Sequence, residues 1–164
     1  MVILQGFDLA LRDFEARGIQ LELIVGDTGS TDPRTLRLMD NQHPGLTFVR
    51  DLKYHFSRNN NQLFGLVKYA TTLFLNNDVL IGREPLALAR AYDVHREAAE
   101  IVSAVLDFPD GNTQHRGVEF LRSPEHFGLP FHPGARDPRQ HNIGAESESS
   151  AVTGAFLMVD SALL

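Results

Sequence analysis

Three short segments of this 164-residue chain gather acidic, amide and hydroxyl side chains closely enough to act on a ligand: GDTGSTD (Gly26–Asp32), NND (Asn76–Asp78) and DFPDGNTQH (Asp107–His115). Asp78 is a hard oxygen donor, and Mg²⁺ is commonly held by one or two carboxylates together with the phosphates of a substrate. An ion held there would neutralise a diphosphate as it leaves, a Lewis-acid role. Asn76 can hydrogen-bond a ribose without adding charge. Asp27 can accept hydrogen bonds from a nucleobase imide or a ribose. Each segment also has a plainer reading. Asn, Asp, Gly and Ser are the common turn residues, so GDTGSTD and NND also serve as strand-to-helix junctions.

The elements around these segments should place them at strand ends. Leu21–Val25 (LELIV) reads as a strand feeding GDTGSTD, after which Asp32 caps a helix that has Pro33 in its first position. Thr71–Leu75 (TTLFL) is β-branched and apolar on both faces, which predicts a central strand running directly into NND. Ile101–Leu106 is the strand before the third segment. Leu46–Val49 is a further strand, and Asn59–Tyr69 reads as a helix. Another helix runs from Pro85 to about Ala99, and Ile3, Phe7, Leu11 and Phe14 form one helical stripe ending near Gly18. Ala151–Val159 is the last strand. This alternation predicts an α/β fold, Rossmann-like, with a mostly parallel central sheet and helices on both faces. Ligands of such sheets bind beyond the carboxyl ends of the strands, so Asp27 and Asp78 are expected on one sheet edge.

Composition narrows the functions. At 43% hydrophobic and 22% charged residues the chain reads as an ordinary soluble domain, and its length supports one core. With no cysteine there is no disulfide, thiolate zinc site or cysteine nucleophile. The net charge of −6, with arginines scattered, argues against a nucleic-acid partner. No run approaches the roughly 20 apolar residues of a membrane helix, and the first residues lack the pattern of a secretory leader. His126, His132 and His141 have no metal-ligand spacing and read as loop residues. A phosphate-binding G-x-x-x-x-G-K-[ST] loop, a G-x-G-x-x-G fingerprint and a G-x-S-x-G elbow are all missing, which removes the usual rival phosphate enzymes and hydrolases.

Taken in order, GDTGSTD, FSRNNN (Phe56–Asn61), LFLNNDV (Leu73–Val79), PDGNTQHRGV (Pro109–Val118) and AVTGAFLMV (Ala151–Val159) resemble the inverting family-2 glycosyltransferases of the A-type (GT-A) fold. The similarity is to bacterial members that build rhamnan, O-antigen or other cell-surface polysaccharides, and it covers about residues 21–159. It implies a single domain over 1–164, with a donor-binding half to about 106 and an acceptor-side region over 107–164. It also implies a nucleoside-diphosphate-sugar donor, a saccharide or lipid-linked acceptor, and a divalent cation, Mg²⁺ or Mn²⁺. Asp27 would contact the base, Arg58 the nucleotide or its phosphates, Asn76 and Asn77 the donor, and Asp78 the metal. Gln114 and His115 match a loop on the sugar side. Arg58 and His115 also have plain readings, as a solvated helix-start arginine and a surface loop histidine. A cytoplasmic place at the inner face of the membrane belongs to the same implication.

The chain departs from that pattern in three ways. Asn76 stands where many relatives have an aspartate, leaving Asp78 as the single carboxylate of the metal site. The family's opening strand and donor loop have no counterpart, so the chain reads as incomplete at its start. The family's catalytic base lies after the AVTGAFLMV-like strand, and its counterpart is expected beyond Leu164. General-base catalysis contributes about 10²–10⁴-fold, so the residues present are expected to bind donor but to turn over weakly. A catalytically inactive nucleotide-sugar-binding remnant or regulatory module is the alternative.

Overall fold

The computed structural model describes residues 10–41, 45–81, 87–135 and 146–164. They form two compact units that are interleaved in sequence. The first holds the described residues up to Thr72 together with 80–81 and 87–90, and the second holds Leu73–Val79 and Ala91–Leu164.

In the first unit, helical residues 10–16 (α1) bury Ala10 and Phe14. Gly18, at φ 70°, lets the chain turn back, and the Ile19 N–H closes the end on the Phe14 carbonyl at 2.8 Å. The expected stripe is therefore met at Phe14, while Ile3 and Phe7 lie outside the described residues. Strand β1 (Leu23–Gly26) pairs in parallel with β2 (Leu46–Val49), Leu23 opposite Leu46 and Gly26 opposite Val49. Between them lies α2 (Pro33–Asp40), with Asp32 as its cap and Pro33 in its first turn, as expected. Helix α3 (Phe56–Phe64) packs against β1. A Cβ on Gly26 would lie 2.9 Å from Leu63 Cδ1 and 3.0 Å from Leu52 Cδ1, so a glycine here lets those leucines close over the strand end. This helix begins three residues before the expected Asn59, because the His55 ring caps it through the Arg58 N–H at 3.3 Å.

Strand β3 (Thr71–Leu75) has the bounds its sequence predicts but a different place. It is an outer strand of a three-stranded sheet ordered β3–β9–β4, where β4 is Ile101–Val102 and β9 is Phe156–Asp160. The middle strand is β9, whose Phe156, Met158 and Val159 are buried, while β3 buries only Thr72 and leaves its leucines half-exposed. Helix α4 (Ala87–Glu97) precedes β4, and its expected start at Pro85 lies outside the described residues. Strands β5 (Leu106–Asp107) and β6 (Thr113–His115) form an antiparallel hairpin, as do β7 (Glu119–Phe120) and β8 (Pro130–Phe131).

The Rossmann-like, mostly parallel central sheet of a GT-A domain is therefore not the architecture. The described residues form a mixed α/β protein with four small sheets, mostly antiparallel, and β1–β2 is a two-stranded parallel sheet. Two observations account for the difference. The expected strand Ile101–Leu106 breaks in the middle, where the Ser103 hydroxyl donates to the Phe156 carbonyl at 2.7 Å, and its two ends join different sheets. The last strand then enters antiparallel to β4, Ile101 opposite Val159 and Val102 opposite Met158. Among the described residues no helix is long and apolar enough to cross a membrane.

Candidate functional site

The first unit gathers polar groups at the carboxyl end of its parallel pair. Asp27 leaves β1 there, its N–H donating to the Val49 carbonyl at 2.8 Å and its carbonyl accepting from Leu52 N–H at 2.9 Å. Its carboxylate folds back into its own turn. Gly29 N–H donates to Oδ2 and Ser30 N–H to Oδ1, both at 3.1 Å. Gly29 takes φ 108°, which a side chain would resist. The Ser30 hydroxyl, against the opposing effect of burial, holds the Asp27 carboxyl below the ordinary carboxylate range, helped by the Gly29 and Ser30 N–H groups and by the charge of Arg50. Arg50 follows β2 and also donates to Asp40 at 2.9 Å. Asp51 beside it sits in the left-handed region at φ 60°, which Asp tolerates better than most residues. Arg58 is exposed in the first turn of α3. Asp32 is engaged by Arg34 through backbone and guanidinium, which brings it down to about 2.

In the second unit, β3 runs into a tight turn. The Asn76 N–H donates to the Ala155 carbonyl at 3.0 Å, and the Val79 N–H donates back to the Asn76 carbonyl at 3.2 Å. This leaves Asn77 and Asp78 exposed at the corner, with Asn76 half-buried. Among the described residues none donates a hydrogen bond to the Asp78 carboxylate.

The TQH of the third segment is strand β6, and alternation along it separates two expected site residues. Gln114 is exposed while Thr113 and His115 are buried on the other face. His115 is thus a core histidine and not a surface one. Its Nε2 accepts from Thr153 N–H at 3.2 Å, and its Nδ1 lies 3.2 Å from the Nδ1 of His132. Burial, and secondarily His132, pushes its pKa down.

The residues that follow continue the same seam. Val118 and Ala151 exchange both backbone hydrogen bonds, at 2.8 and 3.1 Å. The Ser149 hydroxyl accepts from Val118 N–H at 3.0 Å and has its single proton within reach of Val118 O and Ala151 O, and Glu119 accepts from Ser150 N–H and, at 2.7 Å, from its hydroxyl. Gly117, at φ 103°, passes so close to Ser149 that a Cβ would overlap its Oγ and come within 2.7 Å of its Cβ. The glycine and histidine of QH-x-G are therefore explained by close backbone packing.

Segment 149–155 is consequently bonded on one side to residues 115–119 and on the other to Asn76. Three of the ordered motifs meet there, in one unit, bringing Asn76, Asn77, Asp78, Gln114 and His115 onto a common frame. Asp27 and Arg58 belong to the other unit. The expectation that Asp27 and Asp78 share one sheet edge is corrected: Asp27 ends a strand of the parallel pair and Asp78 ends a strand of the three-stranded sheet. Sequence reasoning missed Arg50, whose signal was its place directly after β2. It also missed the pairing of His132 with His115, which no spacing could reveal across 17 positions.

Among the described residues, no group of three His, Asp or Glu side chains could hold a metal ion. The donor set fits a cation only as the protein's share of a mixed site, Asp78 supplying one oxygen and a bound diphosphate the others. Comparison of the chain with family models, with curated proteins and with solved structures gives no match.

Proposed function

We propose that this chain is the donor-binding part of an inverting glycosyltransferase, which moves a sugar from a nucleoside diphosphate to a saccharide or lipid-linked acceptor. The observation that carries the reading is the Asn76–Val79 turn. It is fixed to Ala155 at its first residue and leaves the one carboxylate at its corner open to solvent. A turn anchored in this way holds Asp78 without using its acceptors, which is what a ligand for a diphosphate-bound Mg²⁺ or Mn²⁺ requires. Such an ion supplies charge neutralisation at the leaving diphosphate. Asn76 and Asn77 offer amides to ribose hydroxyls without adding charge near the phosphates.

The order of the motifs, and the meeting of three of them around residues 149–155, supports the reading. A cytoplasmic place at the inner face of a membrane belongs to the same proposal.

Calorimetric titration of the protein with UDP and with dTDP, each with and without Mn²⁺, tests it. The expected result is binding of at least one nucleotide that strengthens with Mn²⁺ and weakens about tenfold in Asp78→Asn. Nucleotide binding that ignores both the metal and the substitution would overturn the assignment. Adding the corresponding sugar nucleotide and acceptors then separates a transferase from a module that only binds.

A further inference from the structure

The histidine pair His115–His132 has a direction built into it. The Thr153 N–H is a donor, so the Nε2 it meets at 3.2 Å must carry a lone pair. Neutral histidine with a lone pair on Nε2 carries its proton on Nδ1. That Nδ1–H points at the Nδ1 of His132, 3.2 Å away, which must then accept and hold its own proton on Nε2. One backbone amide thus sets both tautomers in series. The rings meet edge to face, with centroids 5.3 Å apart and planes at 68°.

A shared metal ion is the rival reading of two imidazole nitrogens at this separation. Metal-bound histidines donate their far N–H to an acceptor, whereas the far nitrogen of His115 faces a donor. The ring chemistry therefore selects a hydrogen bond over an ion.

We propose that His115 and His132 form an acid-sensitive latch, closed when both rings are neutral, that fastens the return strand of the β7–β8 hairpin to the seam between β6 and the segment entering β9. His132 directly follows β8 and is exposed. A proton on its Nδ1 sets two N–H groups against each other and removes the bond. A proton on His115 Nε2 would likewise oppose the Thr153 N–H. A proton on His132 removes the return strand's tie to β6 while β8 stays paired with β7 and β7 stays held by Val118–Ala151 and Glu119–Ser150; a proton on His115 opens the Thr153 side of the latch instead.

Arg116 adjoins His115, Asp107 lies on β5, and Glu119 on β7 is engaged by Ser150, yet the shift at His115 has two causes, burial and then His132. The sign follows from the lowered value. The latch contributes stability above the ordinary histidine value of 6.5, and the contribution falls as pH drops below it toward the folded value.

Nitrogen-15 NMR of the histidine rings and amide exchange at Thr153, corrected for intrinsic rate, test the latch. At about pH 7.5 His115 should carry its proton on Nδ1 and His132 on Nε2. Between about pH 7.5 and 5.5 the protection of Thr153 should fall about tenfold, the equivalent of one pH unit of linkage. In His132→Gln, whose amide oxygen can accept the same bond but takes no proton, the fall should be less than about threefold. Because residue 132 is exposed, this variant is expected to fold. Finding His115 protonated on Nε2 at neutral pH, or a wild-type pH dependence in His132→Gln, would overturn the proposal.

Discussion

The two strand-exit turns, GDTGSTD in the first unit and NND in the second, both carry aspartate among turn-forming residues, and its availability is opposite in the two. In the first, both acidic groups are spent locally: Asp27 on Gly29 and Ser30, and Asp32 on Arg34. In the second, the backbone fixes the turn through Asn76 and Val79, and the carboxylate of Asp78 stays open. A carboxylate that makes a turn and one that is carried by a turn are thus different objects, although their sequences read alike. The open one is the better candidate for a ligand.

That contrast can be broken most severely at the glycines. Gly117→Ala should destabilise the protein by about 2–4 kcal/mol, because it combines left-handed backbone strain with overlap at Ser149. Ser149→Gly in the same background should restore part of the loss, which a thermal unfolding cycle would measure. The matching change in the first turn is milder. Gly29 has φ 108° but nothing within 4 Å of an added Cβ, so Gly29→Ala should lose about 1–2 kcal/mol to backbone strain alone. Equal losses at the two glycines would remove the argument that the 117–149 contact is tight.

The two carboxylates provide a finer comparison. Asp78→Asn should leave the unfolding midpoint within about 0.5 kcal/mol of wild type while weakening Mn²⁺-dependent nucleotide binding. Asp27→Asn should do the reverse in stability, costing about 1 kcal/mol at neutral pH through its weakened turn bonds. The Asp27 contribution is present above its ordinary value of 3.8 and is lost as pH falls through the lowered folded value. The gap between the denaturation curves of wild type and Asp27→Asn should therefore be full at neutral pH and narrow as the pH falls below 3.8. A stability cost at Asp78 instead would show that its side chain is bonded within the turn.

Local structure was legible where one residue type has one job. Asp32 with Pro33 marked the start of α2, the β-branched run Thr71–Leu75 marked β3 to the residue, and Gly18 marked the end of α1. Strand order was not legible, because apolar alternation says that a segment pairs but not with which neighbour or in which direction. Thr71–Leu75 looked central because it is apolar on both faces, yet β9 takes the middle position and β3 stays half-exposed. The broken strand at Ser103 had no warning, since a serine inside an apolar run is compatible with a continuous strand. The burial of His115 and its contact with His132 were not legible, because they arise from tertiary packing across a hairpin. The NND turn was correctly placed at a strand exit, and the expected neighbour across the sheet was not.

The interleaving of the units in sequence bears on how the protein can be dissected. The chain passes from one unit to the other at Thr72, at Val79 and at Arg90, so neither unit is a continuous stretch. A fragment ending near residue 72 lacks the later segment that completes the first unit, and one starting near 91 lacks the strand that carries Asn76 and Asp78. Subcloning either half would yield an unfinished core.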